Sequence, residues 1–183
     1  MLKLKVKRGE LAKEFPLLNI AKEGDVGLDI AVALPFKDNY EEKIREYENW
    51  CKNNGKEPDP HAINELKHKT IVVNPGERHL IPTDIKIEMP YTHWASIEAR
   101  SSTSKLSLIV PKGVIDPGYR GELFAQIINV GKSPVIISHG DRLIQLIMHE
   151  RIVKDFIIEE VDELSESERG ESGFGSSGRS VIK

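Results

Sequence analysis

Apolar and polar residues alternate through most of this chain. Leu2, Leu4 and Val6 stand between lysines, which predicts an opening strand with one apolar face. The same two-residue period, or a short apolar run bounded by turn residues, predicts further strands over Leu28–Leu34, Thr70–Val73, Arg78–Ile81 continuing through Asp84–Glu88, His93–Glu98, Leu123–Val130, Pro134–Ser138, Leu143–His149 and Arg151–Val161. The breaks are turn sequences: Gly24 to Gly27, Asn74-Pro75-Gly76, Asp116-Pro117-Gly118 and His139-Gly140-Asp141. Leu106–Val110 and Gly113–Ile115 are expected to face each other as a hairpin around Pro111-Lys112. Leu11 to Ile20 reads as a connector, since Phe15-Pro16 disfavours helix. Short strands with turns this close predict an all-β barrel or sandwich.

Lys37 to Lys69 departs from that pattern. It is rich in charge and poor in β-branched residues. Tyr40, Ile44, Tyr47 and Trp50 recur at helical spacing, so Tyr40 to Cys51 is predicted as an amphipathic helix ended by Asn53-Asn54-Gly55. Asp59-Pro60 reads as an N-cap followed by proline in the first helical position, opening a second helix to about Lys67. The aromatic face of the first helix is expected to pack back on the parent domain. The alternative is a docking surface for another protein.

The 183 residues carry 26 basic and 29 acidic side chains, a net charge of −3. That balance gives no basic excess for nucleic acid or for an anionic membrane surface. A single cysteine, Cys51, excludes an internal disulfide framework and suits a reducing compartment. No apolar run approaches a membrane span, and the N-terminus lacks the apolar core of a signal peptide. A soluble, cytoplasmic protein is expected. His79, His93 and His139 are isolated in sequence and read as ordinary strand or turn residues rather than metal ligands.

Three stretches carry candidate chemistry. In Lys112 to Val130, Pro117 presets φ and Gly118 allows positive φ, so Asp116 is expected on a tight corner beside Tyr119. The plainer reading is an aspartate that caps its own turn. Arg100, Ser101 and Ser102 follow a strand end and bring together a guanidinium, hydroxyls and backbone N–H groups, a cradle for phosphate oxygens. The plainer reading there is a serine-capped helix start, which is itself an anion site. From Ser165 onward serine, glycine and charge dominate, with Phe174 the only aromatic, so residues 165–183 are expected as a flexible C-terminal lid on a domain of residues 1–164.

Five stretches together, Gly27-Leu28-Asp29, Ala99 to Ser102, Gly113 to Glu122, Gly140 to Leu146 and Arg169 to Gly178, resemble in order and spacing the motifs of the trimeric deoxyuridine triphosphatases (dUTPases). The resemblance suits a phage or bacterial member with an insertion over residues 37–69. It implies a dUTPase-like β-barrel or jelly-roll subunit, a homotrimer with shared active sites, and hydrolysis of dUTP to dUMP and pyrophosphate. Mg²⁺ is the implied cofactor. By the same resemblance Asp116 activates the attacking water and Tyr119 packs on the deoxyribose. Gly113 and Val114 read uracil with their main chain. Arg100, Ser101, Ser102 and Gln145 hold phosphate, and Asp29 reaches the metal through water or holds a motif-two arginine. Phe174 stacks on uracil, while Arg169, Gly175, Ser176 and Ser177 hold the terminal phosphates. Ser102 and Ser172 stand where relatives more often carry glycine. A related dCTP deaminase would need a glutamate where Gln126 stands. The insertion also raises the alternative of a phage-type member that binds a repressor protein.

Overall fold

Strand formation follows the alternation most cleanly at Glu122–Asn129, where Leu123, Ala125, Ile127 and Asn129 are buried and the residues between them are not. The computed structural model describes residues 2–18, 20, 22–152, 157–163 and 165–167. The chain divides into two compact units, Met1–Arg151 and Ile152–Lys183.

In the first unit the strands are β1 (Lys5–Arg8), β2 (Gly27–Ala31), β3 (Ile71–Val73), β4 (Arg78–Glu88), β5 (His93–Ala99), β6 (Leu108–Ile109), β7 (Gly113–Ile115), β8 (Glu122–Asn129), β9 (Val135–Ile137) and β10 (Arg142–Glu150). They form two four-stranded antiparallel sheets, ordered β1-β4-β8-β6 and β2-β10-β5-β7, and a two-stranded sheet β3-β9. One core joins the sheets, with Ile81 and Ile127 from the first and Ile30, Ile144 and Leu146 from the second all fully buried. Burying each such side chain stabilises the fold by about 1.5–3 kcal/mol. The all-β expectation holds.

Two predicted strand arrangements do not. Leu106–Val110 and Gly113–Ile115 do not pair with each other. Leu108 lies opposite Asn129 of β8, whereas Gly113 lies opposite Ile97 of β5, so Pro111-Lys112 carries the chain from one sheet to the other. Proline has no N–H for a ladder and suits a crossing point. The predicted final strand is also missing among the described residues of 151–161. Ile157 and Ile158 are 95% and 96% exposed, and alternation without a neighbouring strand leaves backbone groups unpaired.

The insertion contains the two expected helices, α1 (Tyr40–Asn53) and α2 (Pro60–Lys67). Asp59 caps α2 by accepting a hydrogen bond from the His61 N–H at 2.9 Å, with Pro60 in the first turn. The expected packing of the α1 aromatic stripe on the parent domain holds only at its start: Tyr40 stacks on Phe36 with centroids 5.0 Å apart, whereas the Tyr47 hydroxyl accepts the Asp59 N–H at the head of α2 and Trp50 stays 51% exposed with Lys56 over its ring. The insertion leaves and re-enters through a short stem, Lys37 N–H to Lys67 O and Lys69 N–H to Pro35 O, both at 2.8 Å.

His79 and His93 are surface residues beside Glu77 and Thr92. His139 is not an ordinary turn residue. It is 5% exposed and its ring stacks on His68, from the end of the insertion, with centroids 3.5 Å apart and planes 3° from parallel. Sequence spacing hid this contact, because 71 residues separate two side chains that meet only through the stem.

Candidate active site

The Asp116 corner is a backbone-closed turn: the Tyr119 N–H donates to Asp116 O at 3.0 Å. Pro117 is buried at its apex. Gly118 is not in the left-handed region, contrary to expectation, so the turn is of the kind most residues permit. The aspartate does not cap its own turn. Among the described residues its exposed carboxylate makes no hydrogen bond or ion pair. It opens on a cavity of about 290 Å³ that also includes Gly113, Val114, Tyr119, Phe124 and Gln126. β7 is an edge strand, paired only to β5, so one side of its backbone is free to offer donors and acceptors to a ligand. Tyr119 donates from its hydroxyl to Glu122 O at 2.8 Å. The Glu122 carboxylate in turn accepts the N–H groups of Thr83 at 3.1 Å and Asp84 at 2.8 Å, fixing the start of β8 to β4.

A second cluster gathers on β2, β10 and the end of β5. Asp29 pairs with Arg100 at 2.6 Å and with Arg142 at 3.3 Å, one carboxylate oxygen to each. Arg100 also donates to Arg142 O at 3.0 Å, so its guanidinium is oriented from two sides. Two guanidiniums around one carboxylate leave a net positive charge, suited to phosphate oxygens. The Gln145 amide donates to Ala99 O at 3.0 Å and keeps a second N–H to offer. Ser101 and Ser102 are exposed beside Arg100. The helix after them is a four-residue 3₁₀ turn, Thr103–Leu106, and Ser102 makes no side-chain cap. Its position comes instead from Thr103, whose hydroxyl donates to Leu143 O at 2.6 Å. An anion here would rely on Arg100, Arg142, the hydroxyls and the second Gln145 N–H, not on a helix end.

The cavity at Asp116 includes none of Asp29, Arg100, Ser101, Ser102 or Gln145. The structure therefore brings Gly113, Val114, Asp116 and Tyr119 together, and separately Asp29, Arg100 and Gln145. Arg169, Phe174, Gly175, Ser176 and Ser177 lie outside the described residues. For Mg²⁺ the donors fit an ion carried mostly by phosphate and water, as that ion prefers. Asp29 engages a guanidinium with each oxygen and has only further lone pairs to turn toward a coordinated water.

Glu14, His68 and His139 also converge, their potential ligand atoms within 4.8 Å of one another. Both imidazole Nε2 atoms are buried without a hydrogen bond and face Glu14 Oε2, at 3.4 Å from His68 and 3.7 Å from His139. The geometry opposes a metal. Parallel rings 3.5 Å apart would hold a shared ion far out of both ring planes, where imidazole has no lone pair. The Leu34 N–H donates to His139 Nδ1 at 2.9 Å, so the neutral ring carries its proton on Nε2, the atom that would have to ligate. Lys67 binds both Glu14 oxygens at 3.0 Å. Burial pushes Glu14 up, yet the Lys67 hydrogen bond and charge outweigh it and hold the carboxyl below its ordinary range. Burial and the neighbouring His68 push His139 down to about 4.

Fold and site define a β-barrel protein with a free carboxylate at an edge-strand pocket and an arginine cradle for an anionic ligand. The dUTPase family model matches residues 62–178. A deoxyuridine 5'-triphosphate nucleotidohydrolase of Caldanaerobacter subterraneus is 36% identical over 178 residues, covering 96% of this chain and 97% of its own length. One from a Thermoanaerobacter species is 33% identical with the same coverage. The chain belongs to the dUTPase family. Among solved structures, the dUTPase of Staphylococcus bacteriophage 80alpha with dUpNHpp superposes with a TM-score of 0.66 at 24% identity, covering 97% of this chain and 99% of that one. The dUTPase of phage phi11 of S. aureus, described with a structural Mg(II) ion, gives 0.58 at 20% identity, covering 91% and 99%. These two likenesses speak for the fold.

Proposed function

We propose that Asp116 is the base in this chain's hydrolysis of dUTP to dUMP and pyrophosphate. The observation that carries the assignment is the carboxylate itself. Asp29 is tied up in ion pairs and Glu122 in backbone hydrogen bonds, whereas Asp116 is exposed, unpaired and fixed on a closed corner at the cavity. It orients a water and takes its proton as the water oxygen bonds to the α-phosphorus and the bridging oxygen departs with pyrophosphate. The free edge of β7 at Gly113 and Val114 meets the uracil edge with main-chain groups, and Tyr119 lies against the deoxyribose, where a 2′-hydroxyl would collide. Arg100, Ser101, Ser102 and Gln145 hold the phosphate chain in line. Mg²⁺, when bound, supplies charge neutralisation on the phosphates, with Asp29 as its contact through water. The reaction removes dUTP before it enters DNA and yields dUMP for dTMP synthesis.

The separation of the Asp116 cavity from the Arg100 cluster supports a homotrimer in which one subunit supplies the corner, a second the cradle, and a third the segment Arg169 to Gly178 with Phe174 as its lid. The exposed Trp50 on α1 supports a secondary role of the insertion as a contact for a protein partner.

The test is pyrophosphate release from dUTP, UTP, dTTP and dCTP. Asp116→Asn should lower kcat for dUTP by about 10²–10⁴-fold. Undiminished turnover in that variant would remove Asp116 from the reaction, and ammonia released from dCTP would favour the deaminase reading.

A further inference from the structure

Gly121 has no backbone reason to be glycine. The glycines with positive φ among the described residues are Gly24, Gly55, Gly76 and Gly140, so residue 121 has a backbone that alanine adopts without strain. What it lacks is space. A Cβ at this position would lie 2.4 Å from Tyr119 Cζ, 2.3 Å from its Oη and 2.9 Å from its Cε2. Carbon atoms in contact sit about 3.5–4.0 Å apart, so the ring would have to move by about 1 Å. It cannot move without losing its anchor, because the hydroxyl is bonded to Glu122 O, and Glu122 is fixed to Thr83 and Asp84 on β4.

We propose that Gly121 is a specificity-determining positioning residue: it is the bed on which the Tyr119 ring lies, and the Glu122 carbonyl is the peg that fixes the ring's rotation. Together they set where the ring meets the sugar, and so how strictly a 2′-hydroxyl is refused. The inference rests on the reading that Tyr119 lies against the deoxyribose. Tyr119 itself is 42% exposed, so little packing energy would hold it without this bed.

The test compares kcat/KM for dUTP and UTP in the full-length wild type, Gly121→Ala, Tyr119→Ala and the double variant. Gly121→Ala should lower the dUTP-to-UTP ratio about tenfold or more, as an ångström-scale misplacement does, with the urea midpoint unchanged. In the Tyr119→Ala background the same change should alter the ratio less than about twofold, since no ring remains to displace. An equal loss in both backgrounds overturns the proposal, as does a Gly121→Ala enzyme with wild-type selectivity. If Tyr119→Ala keeps full selectivity, the sugar role of Tyr119 fails, and this inference with it. Should Gly121→Ala fail to fold, recovery of folding in the double variant supports the clash with the ring, and continued unfolding overturns it.

Discussion

The buried His139 makes stability depend on pH between about 6.5 and 4. His139 is ordinarily half-protonated at 6.5 but is held at about 4 in the fold, first by burial and then by the adjacent His68. It sits among Glu14, Lys67, His68 and the Phe15 ring. Glu14 favours its charged form, but not enough to offset burial. As pH falls below 6.5 the unfolded chain takes up a proton that the folded chain refuses, so stability drops until the folded ring also protonates near 4. The full loss is about 3 kcal/mol, of which about 2 kcal/mol is reached by pH 5. Glu14 works in a lower window: its folded value lies below 4.5, so its contribution is present above that and lost only as pH falls further. Urea unfolding followed by tryptophan fluorescence at pH 7.5, 6.5 and 5.0, at fixed protein concentration, isolates His139. Wild type should lose about 2 kcal/mol between pH 7.5 and 5.0. His139→Asn, whose side-chain oxygen can still accept the Leu34 N–H, should start less stable and lose most of that slope. A flat wild-type profile from 6.5 to 5.0 would refute the reasoning, and so would a variant that keeps the slope.

Gly27 presents the same spatial problem as Gly121 on the other cluster, since a Cβ there would lie 1.9 Å from Gln145 Oε1. Gly27→Ala should turn the amide off Ala99 O and raise KM for dUTP severalfold with little change in unfolding. An unchanged KM would separate Gln145 from phosphate binding. Ile127→Ala, in the centre of β8 with no exposure, should destabilise the protein by about 2–5 kcal/mol in urea titrations, and a smaller loss would mean that the core closes over the gap.

The fold was legible where one residue's neighbours decide its state. β8 alternates because a half-buried strand must, and Asp59-Pro60 opens α2 because cap and proline act within one turn. The corner was legible as a turn, though its closure by the Tyr119 N–H left Gly118 with an ordinary backbone. Pairing was less legible. Leu106–Val110 and Gly113–Ile115 satisfy every local rule for a hairpin, yet each has a better partner far along the chain, and only the closed sheets reveal it. Candidate site residues were found where a motif names them, and the pairing of Asp29 with a motif-two arginine, implied by the resemblance, is present at Arg100. Its second pair, with Arg142, was not expected, since 113 residues separate the two positions.

The histidine pair follows from a backbone requirement rather than from chemistry of its own. β2 ends at Ala31, and the chain then leaves the sheet toward the insertion while still inside the core, with Leu34 at 1% exposure. A buried residue outside a sheet still needs partners for its N–H and its carbonyl. Both come from side chains: His139 Nδ1 accepts the Leu34 N–H, and His68 Nδ1 donates to Leu34 O at 3.0 Å. Two groups on one residue are a ring-stacking distance apart, so the imidazoles that serve them must lie face to face, and both Nε2 atoms are then carried to the same side. Glu14 and Lys67 close that side. The point where the insertion departs is thus held by residues from its far end and from the turn before β10, which ties the helices to the barrel at one buried amino acid.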